Sequence, residues 1–343
     1  MVNQNKSRST KPVEILINGQ LISDKAQVAS QFCNYFSTMV TDKLDSHFQG
    51  DLSHSCTISN RIMVSSIFID SISRIEVLNI INSLCNKKST GYDEIPAFVV
   101  KRCGDMFAGP ISHIFNLSIQ SGHFPDALRT AIVVPVPKRG DPSDLSNYRP
   151  IALLSVISKF LEKIMVGKVC DFLESHRLLD GFQHGFRSGF STESAMVELV
   201  QCVNDKIDQD MFVVLVSFDL SRAFDTVHPL FVSEKIDRLG IRGPVNSWLV
   251  SFLLTNRKYI VKINNSKSQP YTSEIGCPQG SVLAPLIFLL YLNDLPELPT
   301  RLRLFLWKHA FYSVLDFVEG MSDYVAHCLY LLSMFVMYSF LFK

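Results

Sequence analysis

The chain has 343 residues, enough for one large domain or two modest ones with ample core. Its formal charge is +1, so overall polyelectrolyte character does not point to nucleic acid, and a polyanion-facing surface has to come from local clustering. The eight cysteines are scattered without a C-x-x-C spacing, which leaves no zinc cluster visible; with the polar, disordered-looking lead at 1–14 they read as free thiols in a reducing, intracellular compartment, nucleus or cytoplasm unresolved.

In chain order, 14–34 predicts a short strand or hairpin turning at Asn18-Gly19, then a helix capped near Ser23 or Asp24. Residues 46–58 are loop-like. Three- and four-residue apolar spacing predicts an amphipathic helix over 70–85, broken by 87–91; a turn at 91–96 and a second helix over 97–121 follow. Residues 131–137 (AIVVPVP) read as a strand that its prolines confine to an edge or to irregular pairing. A basic turn at 138–142 precedes extended chain at 147–151, because a residue before proline avoids the helical region. A helix over 155–172 carries Lys159, Glu162 and Lys163 on its wetter side; a glycine-flanked loop at 184–189 leads into a helix over 191–208.

Residues 212–225 (FVVLVSFDLSRAFD) begin as a continuous apolar, β-branched run suited to a strand buried on both faces, with Asp219 at its end. A carboxylate where a buried strand emerges needs a metal, a cation or backbone N–H groups opposite it; the same stretch also reads as a plain helix N-cap at Asp219 or Ser221. Helices over 229–239 and 244–254 follow, then a strand over 259–264 turning at Asn264-Asn265. Between 238 and 267 lie six basic residues and no acidic one, readable as a polyanion-facing stretch or as a solvated surface. Residues 276–281 (GCPQGS) form a turn-rich loop opening a long apolar helix over 282–292. Residues 301–305 alternate like a strand. The apolar run 328–342 is short for a membrane span, and a frame-shifted or artefactual tail ranks ahead of an anchor.

Taken in order, PVPKRGDPSDLSNYRPIALLSVISKFLEKIM, FQHGFRSGFST, VSFDLSRAFDTVHP and GCPQGSVLAPLIFLLYLNDL resemble the reverse transcriptase of non-LTR (LINE-type) retrotransposons, over about residues 70–296. The resemblance implies an α+β right-hand polymerase: a linker-like extension at 1–60, fingers at 61–208, an incomplete palm at 209–300 and a divergent apolar tail at 301–343 in which the thumb is missing. The reverse transcriptase domain as a whole would cover about 126–305, with the palm strand at 212–219 pairing with the one near 302–305. It further implies RNA-directed DNA synthesis on an RNA template and a DNA primer from dNTPs, with two Mg2+ ions holding the attacking and leaving oxygens.

By the same resemblance, Asp219 is the catalytic, metal-binding aspartate and the Leu220 carbonyl a further metal ligand. Phe224 lies beneath the sugar and excludes a 2′ hydroxyl, Lys138 and Arg149 grip the triphosphate, and Gln279 and Gly280 lie beneath the templating pair. Arg187 sits near template or nucleotide; Arg257, Lys258 and Lys262 contact phosphates; Asp225 takes a local hydrogen-bonding role. One departure stands out. Where the family carries Ala-Asp-Asp-Thr, this chain reads Leu306-Trp307-Lys308-His309. A single carboxylate cannot hold two divalent ions against their hydration, so the expectation is a copy that does not polymerise DNA, or alternatively a non-catalytic RNA- or DNA-binding remnant of the fold.

Overall fold

The computed structural model describes residues 14–38, 63–85, 89–219, 223–254, 257–273, 275–294, 302–307 and 310–317. Helices and sheets are mixed throughout, as the α+β expectation requires, and the described cysteines are free thiols. No helix among the described residues is long and apolar enough to cross a membrane. The apolar run 328–342 lies outside those residues.

The first elements are a hairpin, β1 (Ile15–Ile17) and β2 (Gln20–Ile22), turned by Asn18 at φ 49° and Gly19 at φ 80°. Two consecutive positive φ values match the right-handed twist of a hairpin. Helix α1 (Lys25–Thr38) follows, and the Asp24 carboxylate accepts from Gln27 N at 2.9 Å as its cap. Phe32 of α1 is fully buried and meets Tyr148 edge-on at 4.8 Å. The segment expected to be a linker-like extension thus contributes a helix to the core.

That core lies under one sheet, with β3 (Ala131–Pro137) between β4 (Tyr148–Leu153) and β6 (Lys258–Ile263). The short strands β7 (Ser266–Lys267) and β8 (Tyr271–Thr272) both pair with β6. The proline-bearing strand is therefore internal rather than at an edge. Its prolines are tolerated because the parallel pairing with β6 spans only residues 131–133, and Pro135 and Pro137 fall beyond it.

Helix α2 (Arg74–Asn82) starts at Ser73, where a capping box with Glu76 satisfies both ends of the first turn. The expected single helix over 97–121 is two, α3 (Ala97–Arg102) and α4 (Gly104–Gln120), broken at Cys103. Helix α5 (Val156–Ser175) is capped by Ser155, whose hydroxyl also donates to Asp93 at 2.5 Å. Gly91 is required in the turn resting on that cap, because a Cβ there would stand 2.5 Å from Ser155 N. Helix α6 (Thr192–Ile207) buries Leu199 and Cys202 in a small cluster of its own, while α7 (Pro229–Arg238) packs against both α8 (Gly243–Leu254) and α9 (Ala284–Leu292), every residue of which except Pro285 is buried.

Helix α9 is held at both ends by side chains from other helices. At its start, the buried carboxylate of Glu162 accepts from Val282 N at 2.7 Å and Leu283 N at 3.2 Å. At its end, Lys235 donates to Tyr291 O at 2.7 Å and to Asp294 at 2.6 Å. Glu162 is 0% exposed, which corrects its placement on the wet side of α5. Burial raises the pKa of the Glu162 carboxyl, and Ser158 together with the two N–H groups at the helix start opposes that rise.

A separate three-stranded sheet runs β5 (Phe212–Asp219), β10 (Ala310–Phe317), β9 (Leu302–Trp307). The expected direct pairing of 212–219 with the strand near 302–305 is corrected: β10 lies between them, antiparallel to both.

Candidate functional site

Asp219 is the last residue of β5, and its backbone partner is Ala310, the first residue of β10. Ala310 pairs in turn with Trp307, the last residue of β9. Asp219, Ala310 and Trp307 therefore form one row across the end of the sheet. Lys308 and His309 link the two strands in sequence; they and Leu220 lie outside the described residues.

The chain after β5 meets the loop before α9. Cys277 N donates to Phe224 O at 2.7 Å, and Gly276 N to Val227 O at 2.8 Å. Gly276 has φ 89°, and a Cβ on it would stand 2.7–3.0 Å from the Asp225 backbone, so only glycine allows this approach. The Gln279 amide donates to both Asp225 oxygens, at 2.7 and 2.9 Å, which gives Asp225 a local hydrogen-bonding role. On its other side the loop runs along β4: Ala152 N donates to Gln279 O at 2.7 Å, and a Cβ on Gly280 would stand 2.8 Å from Ala152 O. Burial pushes the Cys277 thiol well above its ordinary pKa, so it stays protonated and packs as an apolar group. Phe224 is half-buried, with the Phe288 ring 5.0 Å away and the Phe186 ring 5.8 Å away.

The strand register sorts the basic residues. Val133, Tyr148, Val261 and Ile263 belong to the core under α1. Alternation and cross-strand pairing then send Arg149, Lys258, Lys262 and Lys267 to the opposite face. Lys138 joins them, since its N–H to Asn147 O continues the β3–β4 ladder by one more pair. Lys138, Arg149 and Lys258 are exposed and Lys262 half-buried, while Lys267 lies 3.7 Å from Glu94.

Two of the residues expected to contact nucleic acid are engaged within the chain. Arg187 forks onto Glu174, with Nε and Nη2 donating at 2.8 and 3.0 Å, and gives Nη1 to Asp180 O at 3.0 Å. Its side chain is 12% exposed, so it braces its own loop instead of facing a template. Arg257 is 2% exposed; its guanidinium lies 4.6 Å from the Phe252 ring centre and donates to Phe252 O at 3.1 Å. A group so enclosed presents no donors to a phosphate. Its place at a helix–strand junction, next to the exposed Lys258, hid this in the sequence.

The profile of the family described as reverse transcriptase (RNA-dependent DNA polymerase) matches residues 136–311, from the end of β3 into β10. The chain belongs to the reverse transcriptase family. It is 29% identical over 283 residues to a probable RNA-directed DNA polymerase from transposon BS of Drosophila melanogaster, covering 81% of this chain and 30% of that protein. It is also 28% identical over 222 residues to the RNA-directed DNA polymerase from mobile element jockey of the same species, covering 64% of this chain and 24% of that one. A Pol polyprotein from a type-1 retrotransposable element R2 of Popillia japonica is 26% identical over 183 residues, 52% of this chain and 25% of that protein. These are non-LTR retrotransposon polymerases, and the chain spans less than a third of the length of each. Reverse transcriptases use Mg2+, so the donor set of this one can be tested against the ion. In backbone register Asp219 has Ala310 and then Trp307 as neighbours, Asp225 is engaged by Gln279, and no group of three His, Cys, Asp or Glu that could hold a metal occurs among the described residues. A pair of hard cations, each of which wants several oxygens, would need donors beyond Asp219.

Proposed function

We propose that this chain is the fingers (61–208) and an incomplete palm (209–300) of a non-LTR retrotransposon reverse transcriptase, preceded by an extension at 1–60 and followed by a divergent tail at 301–343, and that it does not carry out nucleotide transfer. The observation that carries the proposal is the row Asp219–Ala310–Trp307. Residues 307 and 308 are where the family's Asp-Asp is expected, and they are Trp and Lys. Asp219 and the Leu220 carbonyl are then half of a two-ion site, and the missing half is the one that completes the charge. A primer-terminus hydroxyl needs both ions, one to lower its pKa and one to take up charge on the leaving pyrophosphate. Titration with Mn2+ as a spin-active stand-in for Mg2+ tests this. No saturable binding that depends on Asp219 is expected; tight binding lost in Asp219→Ala overturns the proposal.

A second reading has its own support. Lys138, Arg149, Lys258 and Lys262 share one sheet face, and in this reading Lys138 and Arg149 take the triphosphate while Lys258 and Lys262 take template or primer phosphates. Phe224, Gln279 and Gly280 then shape the nucleotide pocket without chemistry. The chain would be a non-catalytic remnant that binds an RNA–DNA hybrid. Lys258→Ala and Lys262→Ala should each reduce the salt slope of hybrid binding by about 1. Absence of binding at low salt rules this reading out.

A further inference from the structure

The carboxylate of Glu162 lies deep in the interior, 0% exposed, and neither the family resemblance nor the row at Asp219 assigns it a role. Its Oε1 accepts from Ser158, one helical turn earlier, at 2.7 Å. Its Oε2 accepts from Val282 N and Leu283 N, at 2.7 and 3.2 Å. The next amide, Ala284 N, is taken by Ser281 Oγ at 2.9 Å. Thus the start of α9 is fixed from outside its own chain segment, by a side chain on α5. Only three residues before Val282 stands Gln279, which binds Asp225 with its amide and Ala152 with its carbonyl.

We infer that Glu162 is a positioning residue: it locks the Pro278–Gly280 loop between β4 and Asp225, and so sets the floor of the nucleotide pocket from the fingers side. The loop is held by the Gln279–Asp225 bonds and by short backbone contacts, and the glycines at 276 and 280 that flank it adopt φ values of 89° and 112°. An apolar side chain at 162 would leave two buried N–H groups and a hydroxyl without an acceptor, which frees the loop's downstream anchor. A glutamine keeps one oxygen for the N–H groups, and Ser158 can turn to accept from its amide. The functional arm of this inference rests on the reading of the loop as part of the nucleotide pocket; the positional arm does not.

Amide hydrogen exchange on the full chain separates the arms, with dNTP affinity in the presence of an RNA–DNA hybrid measured alongside. In Glu162→Leu, exchange at Val282, Leu283 and Ala152 should rise roughly ten- to hundred-fold above the change seen in α1 and α2. In Glu162→Gln, these sites should stay near their natural rates. Ser158→Ala, a milder cut of the same network, should raise the same sites several-fold and serves where Glu162→Leu fails to fold. A uniform rise across all helices, or no rise at 282, 283 and 152, overturns the inference. If those sites are loosened while dNTP affinity is unchanged, the positional arm stands and the pocket reading falls.

Discussion

Gly276→Ala probes the contact that joins the loop before α9 to the chain after β5. The backbone at 276 has φ 89°, a conformation that costs an L side chain about 1 kcal/mol. A Cβ there would also stand 2.7, 2.9 and 3.0 Å from the O, Cα and C atoms of Asp225, all backbone and unable to swing aside. Forced overpacking of that kind adds about 1–3 kcal/mol, for a total near 2–4 kcal/mol. Gly19 provides the control, because its φ is 80° but a Cβ on it meets nothing within 4 Å. Gly19→Ala should therefore show the conformational cost alone, about 1 kcal/mol. Urea unfolding followed by circular dichroism measures both; with a slope of about 2–3 kcal/mol per molar, Gly276→Ala should lower the midpoint by about 1 M. Equal losses in the two variants would show that the approach of 276 to Asp225 is not the close packing described, and the link between loop and strand would fall with it.

Three further expectations follow from separate parts of the fold. Phe32→Ala should cost about 3–5 kcal/mol in the same unfolding assay, because Phe32 is fully buried against Tyr148; a loss under about 1 kcal/mol would mean that 14–38 is an appendage after all. Gln279→Ala strips two charge-assisted hydrogen bonds from Asp225 and should cost about 1–2 kcal/mol, while in Asp225→Asn the same truncation should cost much less; additive losses would refute the pairing. Hydrogen bonds from Arg187 hold the Glu174 carboxyl below its ordinary pKa. A depressed carboxylate stabilises the fold fully above its unfolded pKa and loses that contribution as pH falls through the folded value. Glu174→Gln should thus cost about 1 kcal/mol at pH 7, discounted for the exposed carboxylate, and converge with the natural chain as the pH falls below the ordinary glutamate range; a gap independent of pH contradicts the assignment.

Much of this architecture is legible in local sequence, and the exceptions share a cause. Asn18-Gly19 announces its hairpin, the β-branched run before Asp219 its strand, and Asn264 its turn, because each is dictated by a few neighbouring residues. Glu162 was misread because a charged residue in a helix ordinarily marks the wet face. What gives it away is its company, Phe160, Leu161, Ile164 and Met165, with Ser158 one turn before it, and its acceptors' partners lie 120 residues further on. Arg187 and Arg257 look like phosphate contacts because positive charge is visible in a sequence and its partner is not. Glu174 and the rings of Phe252 and Phe124 are supplied by the fold. The internal position of β3 was hidden for a similar reason, since prolines signal an edge until one sees that the ladder to β6 stops short of them.

Whether nucleotide transfer occurs is decided at the row Asp219–Ala310–Trp307. Primer extension on an RNA template with a DNA primer, dNTPs and Mg2+ tests it most directly, run beside Asp219→Ala. The account predicts no template-dependent extension from either protein; extension by the natural chain that disappears in Asp219→Ala would contradict it.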